Sequence, residues 1–358
     1  MKKIHIVLFG TGNVGSSLIQ QILTAGEYLK EKEGLELKIP VIANSTTAFF
    51  QQHHQSPSWE TDFKAFGFPY NLEDVLAYVR EQKYENLVAV DATASEEFVD
   101  HYFTLIREGF HIVAANKVAN TRSSAFYAEL RESLKKNNKY FFYETNVGAG
   151  LPVIETLRNF HRSHEEVTKI RGVFSGSLSY IFNTFCEEEK AFSEVLTEAS
   201  EKGFTEPDPR VDLSGKDVGR KLLILGRELG LKKELHEVVI EDLVPKHLNG
   251  SSTLKNFQKK KKDLDLDFLQ LKKQLKSDEV IRHVGELDVQ TGKLEVKLSR
   301  EKKTSALGSL KHADSSFEIF TKTYGDQPVV IRGAGAGAGV TARGVLTDLI
   351  KLAEKLPS

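Results

Sequence analysis

The pattern Gly10-Thr11-Gly12-Asn13-Val14-Gly15 constrains this chain more than any other stretch. It follows residues 4–9, a nearly continuous apolar run that reads as a strand buried on both faces. It leads into Val14, Leu18, Ile19, Ile22 and Leu23, which repeat at helical spacing. In such a strand–turn–helix the first glycine permits the tight turn. The second lets the backbone approach a pyrophosphate, and the third lets helix and strand pack closely. The helix start offers unpaired N–H groups and a positive dipole end to phosphates. Gly10, Gly12, Asn13, Val14 and Gly15 are therefore candidate dinucleotide-binding residues.

The alternation continues. Residues 39–43, 87–90, 110–114 and 140–143 read as strands. Val75, Leu76 and Val79 mark a helix, as do Phe98, Tyr102, Leu105 and Ile106, and then Phe126, Leu130 and Leu134. Repeated strand–helix–strand order predicts an α/β fold, a Rossmann-type parallel sheet with right-handed crossovers. Residues 48–71, rich in aromatics, His and Gln without a period, are expected to form an irregular excursion. Beyond residue 145 the pattern changes. A helix from Pro152 is followed by a strand over 169–175 and helices over 179–189, 192–202 and 217–229. Strands over 282–289 and 293–299 flank a short hairpin loop, and 317–323 and 329–331 extend that sheet. This predicts an α+β domain for substrate binding and dimerisation over 146–332. Residues 1–145 and 333–358 are expected to form the dinucleotide-binding domain, the latter through an amphipathic helix over 340–356.

Lys and Arg total 49 against 50 Asp and Glu, so no net positive field is available to hold nucleic acid or an anionic membrane. The one cysteine, Cys186, excludes an internal disulfide and fits a reducing cytoplasm. No run reaches the ~18 apolar residues of a membrane span. The opening apolar run is too short for a signal peptide. Lys259 to Lys262 are offset by Asp263, Asp265 and Asp267 and read as a solvated helix end. His5, His53, His54 and His161 have no metal-ligand spacing.

Several strand ends carry chemistry. Asn44 and Ser45 end the second strand, where an NAD-selective site usually has Asp or Glu. Neither that carboxylate nor a cationic partner for a 2′-phosphate is present, so the cofactor preference leans to NADP with NAD open. Thr93, in Asp91-Ala92-Thr93-Ala94-Ser95, either faces the cofactor or belongs to a turn in which Ser95 caps the next helix. Lys117 ends a further strand at the same edge. Between Gly203 and Lys221, Pro207 and Pro209 stiffen a loop carrying Glu206, Asp208 and Asp212. Asp217 and Lys221 follow, four apart on one helix face. Carboxylates for an ammonium beside a lysine for proton transfer suit an amino-acid substrate.

Taken together these pieces resemble the homoserine dehydrogenase family along nearly the whole chain. The matching stretches are residues 10–15, Ala43-Asn44-Ser45, Ala115-Asn116-Lys117, residues 143–152, Phe174 to Ile181, Gly203 to Lys221 and Gly333 to Ala342. The likeness is to the short form, and with the chain ending at Ser358 no aspartate kinase or regulatory domain is expected. The resemblance implies NAD(P)-dependent interconversion of L-aspartate 4-semialdehyde and L-homoserine, in threonine, methionine and isoleucine biosynthesis. It implies Lys221 as general acid/base, Lys117 across the site near the nicotinamide, and Asp217 orienting Lys221. Glu206 would bind the substrate ammonium and Asp212 would be a further pocket carboxylate. Gly176 and Ser177 would take the substrate carboxylate at a helix mouth, where an anion is favoured. Gly339 would lie near the cofactor. Glu144 and the carbonyls of Val147, Ala149 and Leu151 would wrap a monovalent cation, expected to be sodium; the same glycine-rich stretch also reads as a hinge. A homodimer through the β-rich segments near 285–332 is implied. With Lys221 held protonated by its carboxylates, reduction is expected to dominate near neutral pH and oxidation to need alkaline pH.

Three other readings remain at this point. A phosphorylating semialdehyde dehydrogenase would need a thiolate, and Cys186 has no adjacent His. A sugar dehydrogenase would share the two-domain architecture. A nucleotide-sensing protein without turnover would not need both Lys117 and Lys221.

Overall fold

The computed structural model describes residues 1–51, 57–250 and 252–357; His53 and His54 lie outside them. The chain divides into two compact units, Met1–Gly150 with Gly337–Ser358, and Leu151–Ala336.

The first unit begins with β1 (Lys2–Phe9), α1 (Asn13–Glu33) and β2 (Leu35–Ala43). It continues through β3 (Thr47–Phe50), α2 (Trp59–Phe66), β4 (Phe68–Pro69), α3 (Leu72–Gln82) and β5 (Leu87–Asp91). Then come α4 (Tyr102–Arg107), β6 (His111–Ala114), α5 (Val118–Thr121), α6 (Ser124–Lys136) and β7 (Phe141–Phe142). The sheet order is β4-β3-β2-β1-β5-β6-β7. β1 runs parallel to β2 and β5, and β6 is parallel to both β5 and β7. This is the doubly wound arrangement that places loops such as 10–15 at the carboxyl ends of the strands.

Residues 48–71 are not an irregular excursion where they are described. They add β3 antiparallel to the edge of β2 and β4 antiparallel to β3, with α2 between the two strands. The driving force is aromatic burial: the Phe50 ring meets Phe68 at 4.6 Å and stacks on Tyr78 at 4.1 Å. Strands of four and two residues are too short to show a period in sequence.

The second unit contains α7 (Val153–Arg162), β8 (Val167–Val173), α8 (Gly176–Glu187), α9 (Phe192–Glu201), α10 (Arg210–Leu213) and α11 (Lys216–Glu228). β9 (Val239–Ile240), α12 (Leu254–Lys260) and α13 (Asp265–Lys273) follow. The unit closes with β10 (Glu279–Asp288), β11 (Lys293–Lys302), β12 (Asp314–Thr321) and β13 (Val329–Ala334). Its sheet order is β13-β12-β8-β10-β11-β9, and only the short β9 runs parallel to its neighbour. Phe182, Phe185, Phe192 and Phe268 form an aromatic core, with the rings of Phe192 and Phe268 stacked at 3.6 Å. The lysine run is a helix end, with Lys261 bonded to Thr197.

The chain then returns to the first unit as α14 (Ala338–Lys355). Its Ala342, Val345, Leu346, Leu349 and Leu352 are buried in one cluster with Leu18, Ile19 and Ile22 of α1. Each Val, Leu or Ile side chain so removed from water contributes roughly 1.5–3 kcal/mol. Among the described residues no helix is long and apolar enough to cross a membrane.

Candidate active site

In the first unit the glycine turn shows why each glycine stands where it does. Gly10 has φ +103°, and a Cβ there would lie 2.7 Å from the carbonyl oxygen of Ala92. A Cβ at Gly15 would lie 1.9 Å from the carbonyl oxygen of Gly10, so the helix could not approach the turn. A Cβ at Gly12 would meet nothing within 4 Å. The backbone at the start of α1 is thus open on the side a pyrophosphate would need. Asn13 and Val14 form the first turn of α1, which holds no acidic residue to repel an anion.

Around this turn the strand ends are built from interlocked polar groups. Asp91 is buried, and accepts from the Tyr102 hydroxyl at 2.7 Å, Asn116 Nδ2 at 3.0 Å and the Thr93 amide at 2.8 Å. Burial pushes its carboxyl upward, against the hydrogen bonds from Thr93, Tyr102 and Asn116. The Thr93 hydroxyl accepts from the Ser95 amide at 3.2 Å, and Ser95 Oγ in turn accepts from the Phe98 amide at 3.1 Å. Asn44 Oδ1 accepts from the amides of Thr46 and Thr47 at 2.9 and 2.8 Å, closing the β2–β3 hairpin with Ser45 exposed at its tip. Lys117 is the N-cap residue of α5, directly after Asn116.

The segment after β7 is buried as well. The Glu144 amide donates to Asp348 of α14 at 2.9 Å, and Asn146 Nδ2 donates to the Ala114 carbonyl at 2.9 Å. Gly148 and Ala149 both take positive φ, +79° and +52°, so the chain curls sharply here. Val147 and Ala149 are buried in that curl, with Glu144 before it. Leu151 opens the other unit, and its carbonyl accepts from the Val153 amide at 2.9 Å. Gly339 lies in the first turn of α14, where its carbonyl accepts from Gln21 of α1 at 2.8 Å.

In the second unit the structure places the side chains of Lys221, Asp217, Ser177 and Asp212 and the backbone amide of Glu206 in two hydrogen-bonded groups. Lys221 is buried on α11. Its ammonium donates to the Phe174 carbonyl at 2.8 Å and pairs with Asp217 at 2.6 Å. Phe174 lies just before α8, whose first residues are Gly176 and Ser177. Ser177 Oγ donates to Asp212 Oδ1 at 2.7 Å, and Asp212 Oδ2 accepts from the Glu206 amide at 2.9 Å. Burial raises the Asp212 carboxyl; the bonds from Ser177 and Glu206 oppose this, and the like charge of Asp217 adds to it. The Glu206 carboxylate itself is exposed. Asp208 is not a pocket acid: Arg210 bonds it through its Nε at 2.9 Å, and donates onward to the Ser252 carbonyl at 2.7 Å. That pair fastens the loop.

Three partners escaped the sequence. Phe174 acts through a backbone oxygen, which leaves no side-chain signature. Asp91 and Asn116 had a usable signal, a polar residue closing an apolar strand on the carboxyl edge. Cys186 is partly buried beside the Ile281 amide at 3.3 Å, and burial pushes its thiol up, away from thiolate chemistry.

Comparison with known proteins agrees with these features. The family model for homoserine dehydrogenase matches residues 152–350, and that for the homoserine dehydrogenase NAD binding domain matches residues 10–144. A bifunctional aspartokinase/homoserine dehydrogenase of Buchnera aphidicola is 40% identical over 98% of this chain, which spans 43% of that relative's length. A Candida auris protein of unknown function has a crystal structure with 32% identity and TM-score 0.89, covering 99% of both chains. A hyperthermophilic archaeal homoserine dehydrogenase mutant in complex with NADPH is 25% identical, with TM-score 0.75 and 99% of both chains covered. The chain therefore belongs to the homoserine dehydrogenase family.

Proposed function

We propose that the protein interconverts L-aspartate 4-semialdehyde and L-homoserine with a nicotinamide dinucleotide. The observation that carries the reading is the anchoring of Lys221 between the Phe174 carbonyl and Asp217, at the mouth of α8. An ammonium has three N–H groups. Two are committed, which aims the lysine and leaves the third for a substrate oxygen. In reduction Lys221 gives its proton to the oxygen that becomes the homoserine hydroxyl; in oxidation it takes that proton back. Asp217 holds the lysine in place and balances its charge. The amides at Gly176 and Ser177 take the substrate carboxylate, favoured by the helix dipole. Glu206 takes the substrate ammonium. Asp212 acts through Ser177, fixing the hydroxyl and the 203–215 loop together.

The open backbone at Gly12 and the acid-free first turn of α1 fit a dinucleotide held by Gly10, Gly12, Asn13, Val14 and Gly15. Asn44, Ser45, Thr93, Lys117 and Gly339 complete that assignment, with NADP preferred and NAD accepted. When bound, the nicotinamide supplies or takes up the hydride. Glu144 and the carbonyls of Val147, Ala149 and Leu151 are assigned as oxygen donors, a chemistry that suits a hard monovalent cation such as sodium. The tight curl at Gly148 and Ala149 supports this assignment. We assign a cytoplasmic homodimer through β10–β13. Arg171 on β8, with Glu286, Glu301 and Glu318 around it, gives that sheet an ionic cluster suited to an interface.

The test is Lys221→Ala. It should lower kcat by about 100-fold or more, the usual contribution of a positioned acid/base, while the cofactor Kd stays within about twofold. Lost cofactor affinity with normal turnover would overturn the assignment.

A further inference from the structure

At the amino-terminal edge of the first unit's sheet lies a cavity of about 370 Å³, whose wall includes Lys3, His5, Lys38, Lys83 and Tyr84. It is remote from the glycine turn. Seven residues of extended chain separate Lys3 from Gly10, about 23 Å along the strand. Lys3 and His5 lie on β1 opposite Glu36 and Lys38 on β2, so these four share one face. The turn between α3 and β5 folds over them. Tyr84 stacks on the His5 ring at 4.5 Å, the Glu85 carbonyl bonds His5 Nδ1 at 2.7 Å, and Asn86 Nδ2 donates to the Lys3 carbonyl at 3.0 Å.

Two features are not explained by folding. The first is Lys83. It ends α3 in the left-handed region, φ 52° and ψ 41°, a position that favours glycine. A lysine there costs on the order of 1 kcal/mol and adds nothing to the core. An outlier of that kind points to a role for the side chain. The second is the state of the ammoniums. Among the described residues, Lys3, Lys38 and Lys83 donate no hydrogen bond. Glu36 forms ion pairs with Lys3 at 4.0 Å and Lys38 at 3.8 Å, so these two ammoniums share one carboxylate, while Lys83 has no ion pair among the described residues. Glu36 is also 3.9 Å from Lys30, and Glu85 belongs to the cavity wall. Lys2, by contrast, is committed to the Ala353 and Leu356 carbonyls at the end of α14.

We propose that this cavity binds a compact multivalent anion of the phosphate class, held by Lys3, Lys38 and Lys83. Lysine ammoniums act as mobile point charges suited to phosphate oxygens. His5 lies among them as the sensor. With Nδ1 bonded to the Glu85 carbonyl, its Nε2 gains a proton when an anion supplies a partner. Burial, with smaller contributions from Lys38 and Lys3, currently holds His5 below the ordinary histidine range, against the bond to Glu85 and the charge of Glu36.

The experiment follows the His5 ring proton by NMR, assigned with His5→Gln, while pyrophosphate is added at constant ionic strength. NADPH is kept saturating, so that the glycine turn is filled. Saturable movement of the His5 signal, with its titration shifted upward, is expected. Lys83→Gly should raise the Tm without pyrophosphate, because the strain is relieved, yet weaken pyrophosphate binding by about tenfold, the value of one charge-assisted bond. A His5 signal that ignores pyrophosphate would overturn the proposal. So would a Lys83→Gly protein that binds it as tightly as the parent chain.

Discussion

Ser177 bonds Asp212, and Asp212 bonds the amide of Glu206, so one hydroxyl ties the α8 mouth to the loop that carries the pocket acids. Ser177→Ala breaks a bond to a carboxylate, of roughly 1.5–3 kcal/mol. It should raise KM for L-homoserine about tenfold or more, with kcat reduced less, in steady-state assays. A loss confined to kcat would place Ser177 in the proton step instead. At this scale the sequence was most legible where a side chain carries the chemistry. Asp217 and Lys221 are four apart on a helix and do form the ion pair that spacing allows. It was least legible where partners are backbone atoms, as at Phe174, or where two acids look alike. Asp208 and Asp212 are four residues apart, yet only the structure shows one tied by Arg210 and the other facing Ser177.

α11 depends on the residue that caps it. Gly215 caps it at φ +66°, and a Cβ there would lie 3.0 Å from Ile240 and 3.3 Å from the His283 ring. Gly215→Ala should cost about 1–2 kcal/mol from the left-handed backbone alone, read as a lower Tm. An unchanged Tm would show that the turn relaxes without strain. The strands and helices of the first unit were legible because buried parallel strands are continuous apolar runs. The β3–α2–β4 edge was not, because its stability comes from contacts such as Phe50 with Tyr78, far apart in sequence. Likewise α10 lies inside a loop whose prolines signalled stiffness but not a helical turn.

Across the whole molecule, two histidines make the fold sensitive to acid. His111 lies in the first unit, where its Nδ1 accepts from the Tyr140 amide at 3.0 Å. His283 lies in the second, with neither ring nitrogen bonded among the described residues. Burial pushes both down to about 4. Each folded value lies below the unfolded one, so the unfolded chain takes up protons first as pH falls. Their stabilising contribution is full above about pH 6.5 and is lost as pH falls toward 4, by about 2 kcal/mol each at pH 5. Urea midpoints should fall between pH 7 and pH 5, and His283→Gln should flatten that dependence. A pH-independent midpoint would contradict it. The overall fold class was readable from the glycine turn and the strand alternation, whereas packing of this kind was not. The reaction itself is tested by following nicotinamide absorbance on adding L-homoserine, with NAD and NADP offered separately. L-homoserine-dependent reduction of the nicotinamide is expected, faster with NADP and slowed about 100-fold or more in Lys221→Ala. Tight cofactor binding with no L-homoserine-dependent reduction of either cofactor would contradict it.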